Sequence, residues 1–290
     1  MERREFIKTA AIGGAALFAG AAAARAQEQT PGTLKKALQW GMLPKEWSDK
    51  EKCELAQRCG FEGIETGVIE DLDAAHKLGE LARETGVPVH SIVFGGWHAP
   101  LSSPDPAVIK EGLEGMKTAL RSAHALGADT VLLVPAVVNE RVRYVEAMER
   151  SRKHIPELIP LAEELKVVIA IEEVWNNFLL SPLEFAQYVD DFKSPWIRAY
   201  FDVGNVVAFG WPEDWIRTLG DRIVKVHLKD FKKDTREWVN LRDGSVNWPE
   251  VRKALGEVGY SGYMTTELSG GDEVYLKDLS QRIDLIIEGV

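Results

Sequence analysis

The chain has 290 residues, 45% of them hydrophobic, which is enough to bury a substantial core and excludes a disordered, collagen-like or disulfide-dominated protein. Its formal net charge of −10 argues against a nucleic-acid partner, because such proteins usually present a basic surface to the phosphates. A small polar substrate, or a metal ion, suits this composition better.

The N-terminal residues resemble an export signal rather than a part of the fold. Paired arginines, Arg3 and Arg4, precede the weakly apolar run AAIGGAALFAGAAAA and then Ala-Arg-Ala at 24–26. This pattern resembles the twin-arginine signal that exports folded proteins. We therefore expect residues 1–26 to be a signal peptide cleaved near Ala26, with the twin-arginine machinery as a partner and a periplasmic or otherwise exported product.

A basic amphipathic or anchor segment is the alternative interpretation of the N-terminus. The apolar run is short and rich in glycine and alanine, which is unfavourable for a membrane span. We therefore do not expect a stable membrane protein.

After the signal, short β-prone segments alternate with longer amphipathic ones. The eight predicted strands are 38–42, 63–66, 89–94, 130–134, 167–172, 199–202, 224–227 and 263–267. Strict alternation predicts a parallel sheet, and eight βα units predict one α/β domain over 34–290, a closed (β/α)8 TIM barrel. A doubly wound open sheet is the alternative, but its G-x-G-x-x-G turn is missing after the first strand.

Four consecutive predicted strands end in side chains that can bind a metal. These are Glu172, Asp202, His227 and Glu267, from the fifth to the eighth strand. In a TIM barrel such strand ends meet at the catalytic face. Oxygen ligands with one imidazole suit one divalent ion, Mn²⁺ first with Mg²⁺ or Co²⁺ possible, better than structural zinc. Each residue alone could equally be a helix cap or a solvated rim residue.

The fifth strand ends in two adjacent acids, Glu172 and Glu173. Side chains alternate between the two faces of a strand. Ile169 and Ile171 suit the helix layer, so Ala170 and Glu172 should face the interior. We expect Glu172 to be the ligand and Glu173 to turn away.

Several motifs resemble the sugar phosphate isomerase/epimerase superfamily, which has xylose isomerase-like barrels. They are HSIVFGGWHAPLSSPDP, IEEVWNNFLLSP, AYFDVGN, VKVHLKDF, LRDGSVNWPEV and GYSGYMTTEL. The superfamily includes ketose 3-epimerases, hydroxypyruvate isomerase, inosose dehydratase and endonuclease IV. The resemblance implies that Glu172, Asp202, His227 and Glu267 hold one divalent ion and that the two glutamates also move protons. Endonuclease IV is excluded, because it needs many histidines and a DNA-binding face, and this acidic chain with six histidines has neither.

The expected function is a metal-dependent isomerase or epimerase of a free ketose or keto-sugar, working by enediolate proton transfer between Glu172 and Glu267. No evident basic cluster for a phosphate is present, and export disfavours sugar phosphates. The alternatives are an inosose dehydratase-like lyase on the same scaffold and a non-catalytic exported sugar-binding barrel. The oligomeric state is left open.

Further residues near the strand ends are candidates for substrate binding. They are Glu65, Trp97, His98, Asn205, Lys229 and Arg242. An aromatic ring can stack on a sugar face, and a guanidinium offers fixed donors to its oxygens. Each could instead be a rim, packing or supporting residue.

Two positions depart from the tagatose and psicose type of 3-epimerase. Asn205 stands where those enzymes have a histidine, three residues after the strand-six aspartate. Their arginine shortly after the strand-seven histidine has no counterpart at matching spacing.

Overall fold

Residues 32–290 are described by the computed structural model. The predicted twin-arginine signal and its cleavage near Ala26 lie outside these residues, so export stays a prediction. Within residues 32–290, no helix is both long and apolar enough to cross a membrane.

Eight parallel strands close into a barrel. They are β1 (Leu34–Gln39), β2 (Gly63–Gly67), β3 (Val89–Gly95), β4 (Thr130–Leu133), β5 (Val168–Glu172), β6 (Ile197–Asp202), β7 (Ile223–Leu228) and β10 (Gly262–Thr266). Around the barrel they follow the order β1-β10-β7-β6-β5-β4-β3-β2. Two short strands, β8 (Asp230–Lys232) and β9 (Glu237–Val239), form a separate antiparallel hairpin after β7. The predicted (β/α)8 TIM barrel is confirmed.

The α-helices separate the barrel strands along the chain, with two in succession after β4 and after β6. They are α1 (Asp49–Arg58), α2 (Leu72–Glu84), α3 (Pro106–Leu126), α4 (Tyr144–His154), α5 (Ile159–Leu165), α6 (Pro182–Asp191), α7 (Val203–Val207), α8 (Pro212–Leu219), α9 (Trp248–Glu257) and α10 (Glu273–Glu288). Local sequence sets their limits: Asp105 caps the start of α3 ahead of Pro106, and Gly127 ends it in the left-handed region at φ 79°.

Side-chain alternation separates two apolar regions. Ile169 and Ile171 of β5 belong to the large core that includes the buried faces of the helices. Ala170 belongs to a smaller cluster with Leu132, Val134 and Tyr200, from neighbouring strands. The predicted division of β5 into two faces is confirmed.

The first strand was predicted in the wrong place. The prediction was 38–42, but β1 is Leu34–Gln39 and a 3₁₀ turn follows at Trp40–Met42. The strand contains two lysines, and both find partners. The Lys36 ammonium lies 2.7 Å from Asp284, and the Lys35 ammonium lies over the Tyr263 ring at 5.4 Å.

Candidate metal and active site

The four predicted metal ligands converge at the C-terminal ends of the strands. Glu172, Asp202 and His227 lie on β5, β6 and β7, and Glu267 directly follows β10. Each offers one ligand atom, and these atoms all lie within 4.8 Å of one another. His227 Nδ1 faces Glu172 Oε1 at 3.1 Å, Glu267 Oε2 at 3.1 Å and Asp202 Oδ2 at 3.8 Å.

The other nitrogen of His227 is held by Glu65. Nε2 lies 2.6 Å from Glu65 Oε1, and the second oxygen of Glu65 accepts hydrogen bonds from Ser91 and Tyr200 at 2.5 Å each. Burial raises the pKa of Glu65, but His227 outweighs this and lowers it to about 2. An ionised carboxylate cannot donate, so the imidazole donates through Nε2 and presents Nδ1 to the ligand cluster.

This geometry revises the expectation for Glu65. The side chain is fully buried and both of its oxygens are engaged by protein groups. Its neighbours support a role in orienting His227 rather than the predicted hydrogen bond to a sugar hydroxyl.

The carboxyl groups of the cluster have pKa values that differ strongly. Burial raises the pKa of Glu172 to about 7, although His227 opposes this, and burial also raises the pKa of Asp202. For Glu267, burial is outweighed by His227 and by the ammonium of Lys229, which lower its pKa. Glu172 is therefore the more easily protonated of the two glutamates, and Glu267 the more firmly anionic.

The donor set fits a divalent cation. Lys229 contacts this cluster: its ammonium lies 2.8 Å from Glu267 and 3.1 Å from Asp202. Asp202 Oδ2 is nevertheless buried without a hydrogen bond of acceptable geometry. Several buried carboxylates beside one lysine and one histidine are costly unless further positive charge joins them. Oxygen atoms with one imidazole nitrogen are ligands that Mn²⁺ accepts.

Glu173 takes a different position from its neighbour. It is not a member of the four-residue cluster. Its side chain is buried with Oε1 unpaired, and burial, followed by the charges of Asp202 and Glu172, raises its pKa well above the usual value. Glu173 is therefore a buried neighbour outside the ligand cluster, and the assignment of Glu172 as the ligand stays a prediction that this geometry favours.

Asn205 and Lys229 both reach the cluster. The backbone N–H of Asn205 donates to Asp202 Oδ1 at 2.8 Å, and its side-chain amide donates to the Glu173 carbonyl at 3.1 Å. The backbone carbonyl of Asn205 accepts a hydrogen bond from the Trp175 indole N–H at 2.9 Å. Asn205 therefore joins the loops after β5 and β6. Lys229 contacts two of the expected ligands, Asp202 and Glu267, and also lines a cavity next to the cluster.

Three tryptophans line a cavity of about 270 Å³ next to the cluster, which we call the inner cavity. Trp97, Trp175 and Trp238 are its aromatic walls, and its polar side chains are those of Glu172, Asn205, Lys229 and Glu267. Trp97 follows Gly95 and Gly96, whose φ angles of 71° and 85° make a sharp turn. Aromatic faces beside polar groups are suited to a sugar ring.

Residues 53–285 match the family described as xylose isomerase-like TIM barrel. The chain belongs to this family. It is 30% identical over 233 residues to L-ribulose-5-phosphate 3-epimerase UlaE of Escherichia coli O1:K1 / APEC, covering 75% of this chain and 81% of that protein.

Two solved structures share the xylose isomerase-like fold. L-ribulose 3-epimerase superposes with a TM-score of 0.76 at 17% identity, over 88% of this chain and 95% of that one. A D-tagatose 3-epimerase-like protein gives 0.75 at 21% identity, over 88% and 98%. The named curated relatives are sugar epimerases, which are isomerases, so the prediction of an isomerase is confirmed at that level.

In this xylose isomerase-like barrel, two predicted substrate residues are not brought to the cavity. Arg242 is exposed with φ 71°, and its backbone N–H donates to Asp230. Gly244, Val246 and Trp248 donate to the same carboxylate, so the loop wraps around Asp230 and directs Arg242 to solvent.

His98 is exposed and packs edge-on against Phe94, with ring centroids 6.0 Å apart. The predicted sugar contacts of Arg242 and His98 are unsupported.

Sequence reasoning missed Trp238 and the hairpin that carries it. Trp238 packs on Trp175 and Phe231, with centroids 5.1 Å apart in each case. The signal of the hairpin strands in the sequence is weak, because β8 (DFK) and β9 (EWV) have three residues each and include Asp, Lys and Glu, which are unfavourable in strands.

Proposed function

We propose that the protein is a divalent-metal-dependent epimerase or isomerase of a non-phosphorylated ketose or keto-sugar, with Mn²⁺ as the expected ion. The observation that carries this proposal is the convergence of Glu172, Asp202, His227 and Glu267 within 4.8 Å at the catalytic face of the barrel. The sugar epimerases among its named relatives support the same class of reaction.

Glu172, Asp202, His227 and Glu267 would hold the ion. When bound, a divalent ion draws electron density from a ketone and a neighbouring hydroxyl and so acidifies the C–H between them. The two glutamates are the groups that would move the proton. They lie on strands separated by β6 and β7 around the barrel, so they can approach a bound sugar from different sides.

The environments of the two glutamates favour opposite roles. Lys229 and His227 keep Glu267 anionic and suited to remove a proton, whereas burial raises the pKa of Glu172 to about 7 and suits it to deliver one. In the reverse reaction the roles exchange. Return of the proton to the same carbon from the opposite face inverts the centre, and return to the adjacent carbon interconverts aldose and ketose. The names of the relatives favour inversion at carbon 3.

A non-phosphorylated substrate distinguishes this proposal from the reaction in the name of the curated relative. Three cavities border Glu267, and of the described residues that line them Lys229 is the one lysine or arginine. Its ammonium is already engaged by Asp202 and Glu267. No free cation is therefore available in these linings for a phosphate. The predicted export signal agrees, since sugar phosphates are mostly cytoplasmic.

Solvent exchange tests the proposal. Protein loaded with Mn²⁺ is incubated in D₂O with a panel of ketoses and keto-sugars and with the matching phosphates, and NMR follows deuterium at each carbon. We expect incorporation into a non-phosphorylated substrate, with a stereoisomer as product. Exchange confined to phosphates would overturn the substrate class, exchange nowhere would overturn the reaction, and loss of water would identify a lyase.

Export is a separate proposal that rests on residues 1–26. Fractionation of cells that express the full chain should place the protein outside the cytoplasm, with Arg3→Lys together with Arg4→Lys retaining it inside. Cytoplasmic retention of the unaltered protein would contradict this.

A further inference from the structure

A second and larger space opens from the same cluster. The outer cavity measures about 720 Å³, against about 270 Å³ for the inner cavity. Trp238, Lys229 and Glu267 line both. A ligand whose reacting ring lies against Glu172 and Glu267 in the inner cavity can therefore extend past Trp238 into the outer one.

The outer cavity has the chemistry of a carbohydrate subsite. Beyond the shared residues, its polar side chains are neutral and come from Gln39, Asn240 and Ser269, and Tyr275 adds an aromatic ring. Amides and hydroxyls exchange hydrogen bonds with sugar hydroxyls, and aromatic rings cover the apolar faces of sugars. Among residues 32–290, Lys229 is the one cation in its lining and is engaged by Asp202 and Glu267, so an anionic ligand group finds no free cation there.

Trp238 is a fixed wall between the two cavities. Its ring packs on Trp175 and Phe231, and the Lys229 ammonium lies 5.4 Å from its centroid. The hairpin that carries it is anchored at Asp230. This residue is fully buried, and its carboxylate accepts hydrogen bonds from several backbone N–H groups of the following loop. A site built on such packed elements is already shaped for its ligand before binding.

We propose that the substrate is a glycoside: a keto-sugar whose reacting ring lies in the inner cavity and whose second, neutral sugar unit lies in the outer cavity. This inference rests on the proposed function and names its substrate class. A single ketose would fill the inner cavity and leave the larger space to water. The second unit supplies binding energy remote from the reacting carbon, which an enzyme can use to orient that carbon.

The first test compares kcat/KM for deuterium exchange on a keto-disaccharide with that on the matching keto-monosaccharide, using protein loaded with Mn²⁺. We expect at least a tenfold preference for the disaccharide. The Ser269→Trp variant fills the outer cavity from its exposed rim and should lower the disaccharide-to-monosaccharide ratio at least tenfold. Thr235→Trp, on the exposed turn of the hairpin and outside the cavity lining, should leave the ratio unchanged.

Equal efficiency on both substrates, together with an unchanged ratio in Ser269→Trp, would overturn the inference and leave the proposed function intact. Calorimetric titration with the reduced, unreactive disaccharide separates the two claims. Binding that Ser269→Trp weakens supports the subsite even if no exchange is found, in which case the proposed reaction is wrong. Absence of disaccharide binding contradicts the subsite.

Discussion

Two histidines lie inside the same barrel, at opposite ends and in opposite electrostatic settings. His227, near the C-terminal ends of the strands, faces carboxylates from both ring nitrogens. His90, near the N-terminal ends, stacks on Tyr263 with centroids 4.1 Å apart, and its Nε2 meets the Thr265 hydroxyl at 3.1 Å. Both are buried, so burial alone does not distinguish them.

The difference lies in the surrounding charge. Burial lowers the pKa of both rings, but at His227 the charges of Glu65 and Glu267 outweigh it and raise the pKa well above its usual value. At His90 burial, assisted by the charge of Lys225, lowers the pKa well below it. The N-terminal end is a neutral, packed arrangement that stabilises the barrel, whereas the C-terminal end concentrates negative charge that a cation would balance.

The largest expected effect comes from the two glutamates. Glu172→Gln and Glu267→Gln keep the shape of the site but remove a proton acceptor or donor, so each should lower kcat roughly 10²- to 10⁴-fold. The exposed Glu80 of α2 provides the control, since Glu80→Gln should leave kcat unchanged. Full turnover in Glu267→Gln would exclude the two-carboxylate mechanism.

Metal binding should separate Glu172 from Glu173. Mn²⁺ at about 100 times its Kd should stabilise the protein by about 2.7 kcal/mol, measured as a rise in Tm that a chelator reverses. Glu172→Gln should lose most of this rise, because it removes a ligand oxygen, and Glu173→Gln should keep it. A larger loss in Glu173→Gln would reverse the assignment on β5.

Glu65→Gln should have an intermediate effect on the same property. An amide can bond to His227 Nε2–H but no longer fixes the tautomer through a charge, so Mn²⁺ affinity should fall about 10- to 100-fold. Titration calorimetry measures this fall against Glu80→Gln. Unchanged affinity would show that Glu65 only fills space.

His90→Phe should have the smallest effect and leave turnover unchanged. It keeps the stacking on Tyr263 but loses one hydrogen bond, which is worth about 1 kcal/mol of unfolding free energy. The folded His90 is neutral whereas the unfolded one takes up a proton, so stability is lost as the pH falls through about 6.5. Urea unfolding across that range should show a weaker pH dependence in the variant; a loss of kcat would link the two ends of the barrel.

The features that follow a chain-wide pattern were the predictable ones. The barrel and the meeting of Glu172, Asp202, His227 and Glu267 follow from alternating strands and helices, because parallel strand ends must lie together. The placement of Glu65, Arg242 and Trp238 depends on specific side-chain contacts. Ser91 and Tyr200 donate hydrogen bonds that hold Glu65 against His227. Asp230 accepts the Arg242 N–H in a loop that directs the Arg242 side chain to solvent. Such contacts join residues far apart in the chain and leave no periodic signal.

A crystal structure of the protein with Mn²⁺ and an unreactive keto-sugar, with the ion located by anomalous scattering, would test the four-ligand site and the roles of the two glutamates together. We expect one ion bound by Glu172, Asp202, His227 and Glu267, with the reacting carbon of the sugar between the two glutamates. An ion bound elsewhere, or both glutamates on the same face of the sugar, would contradict the account.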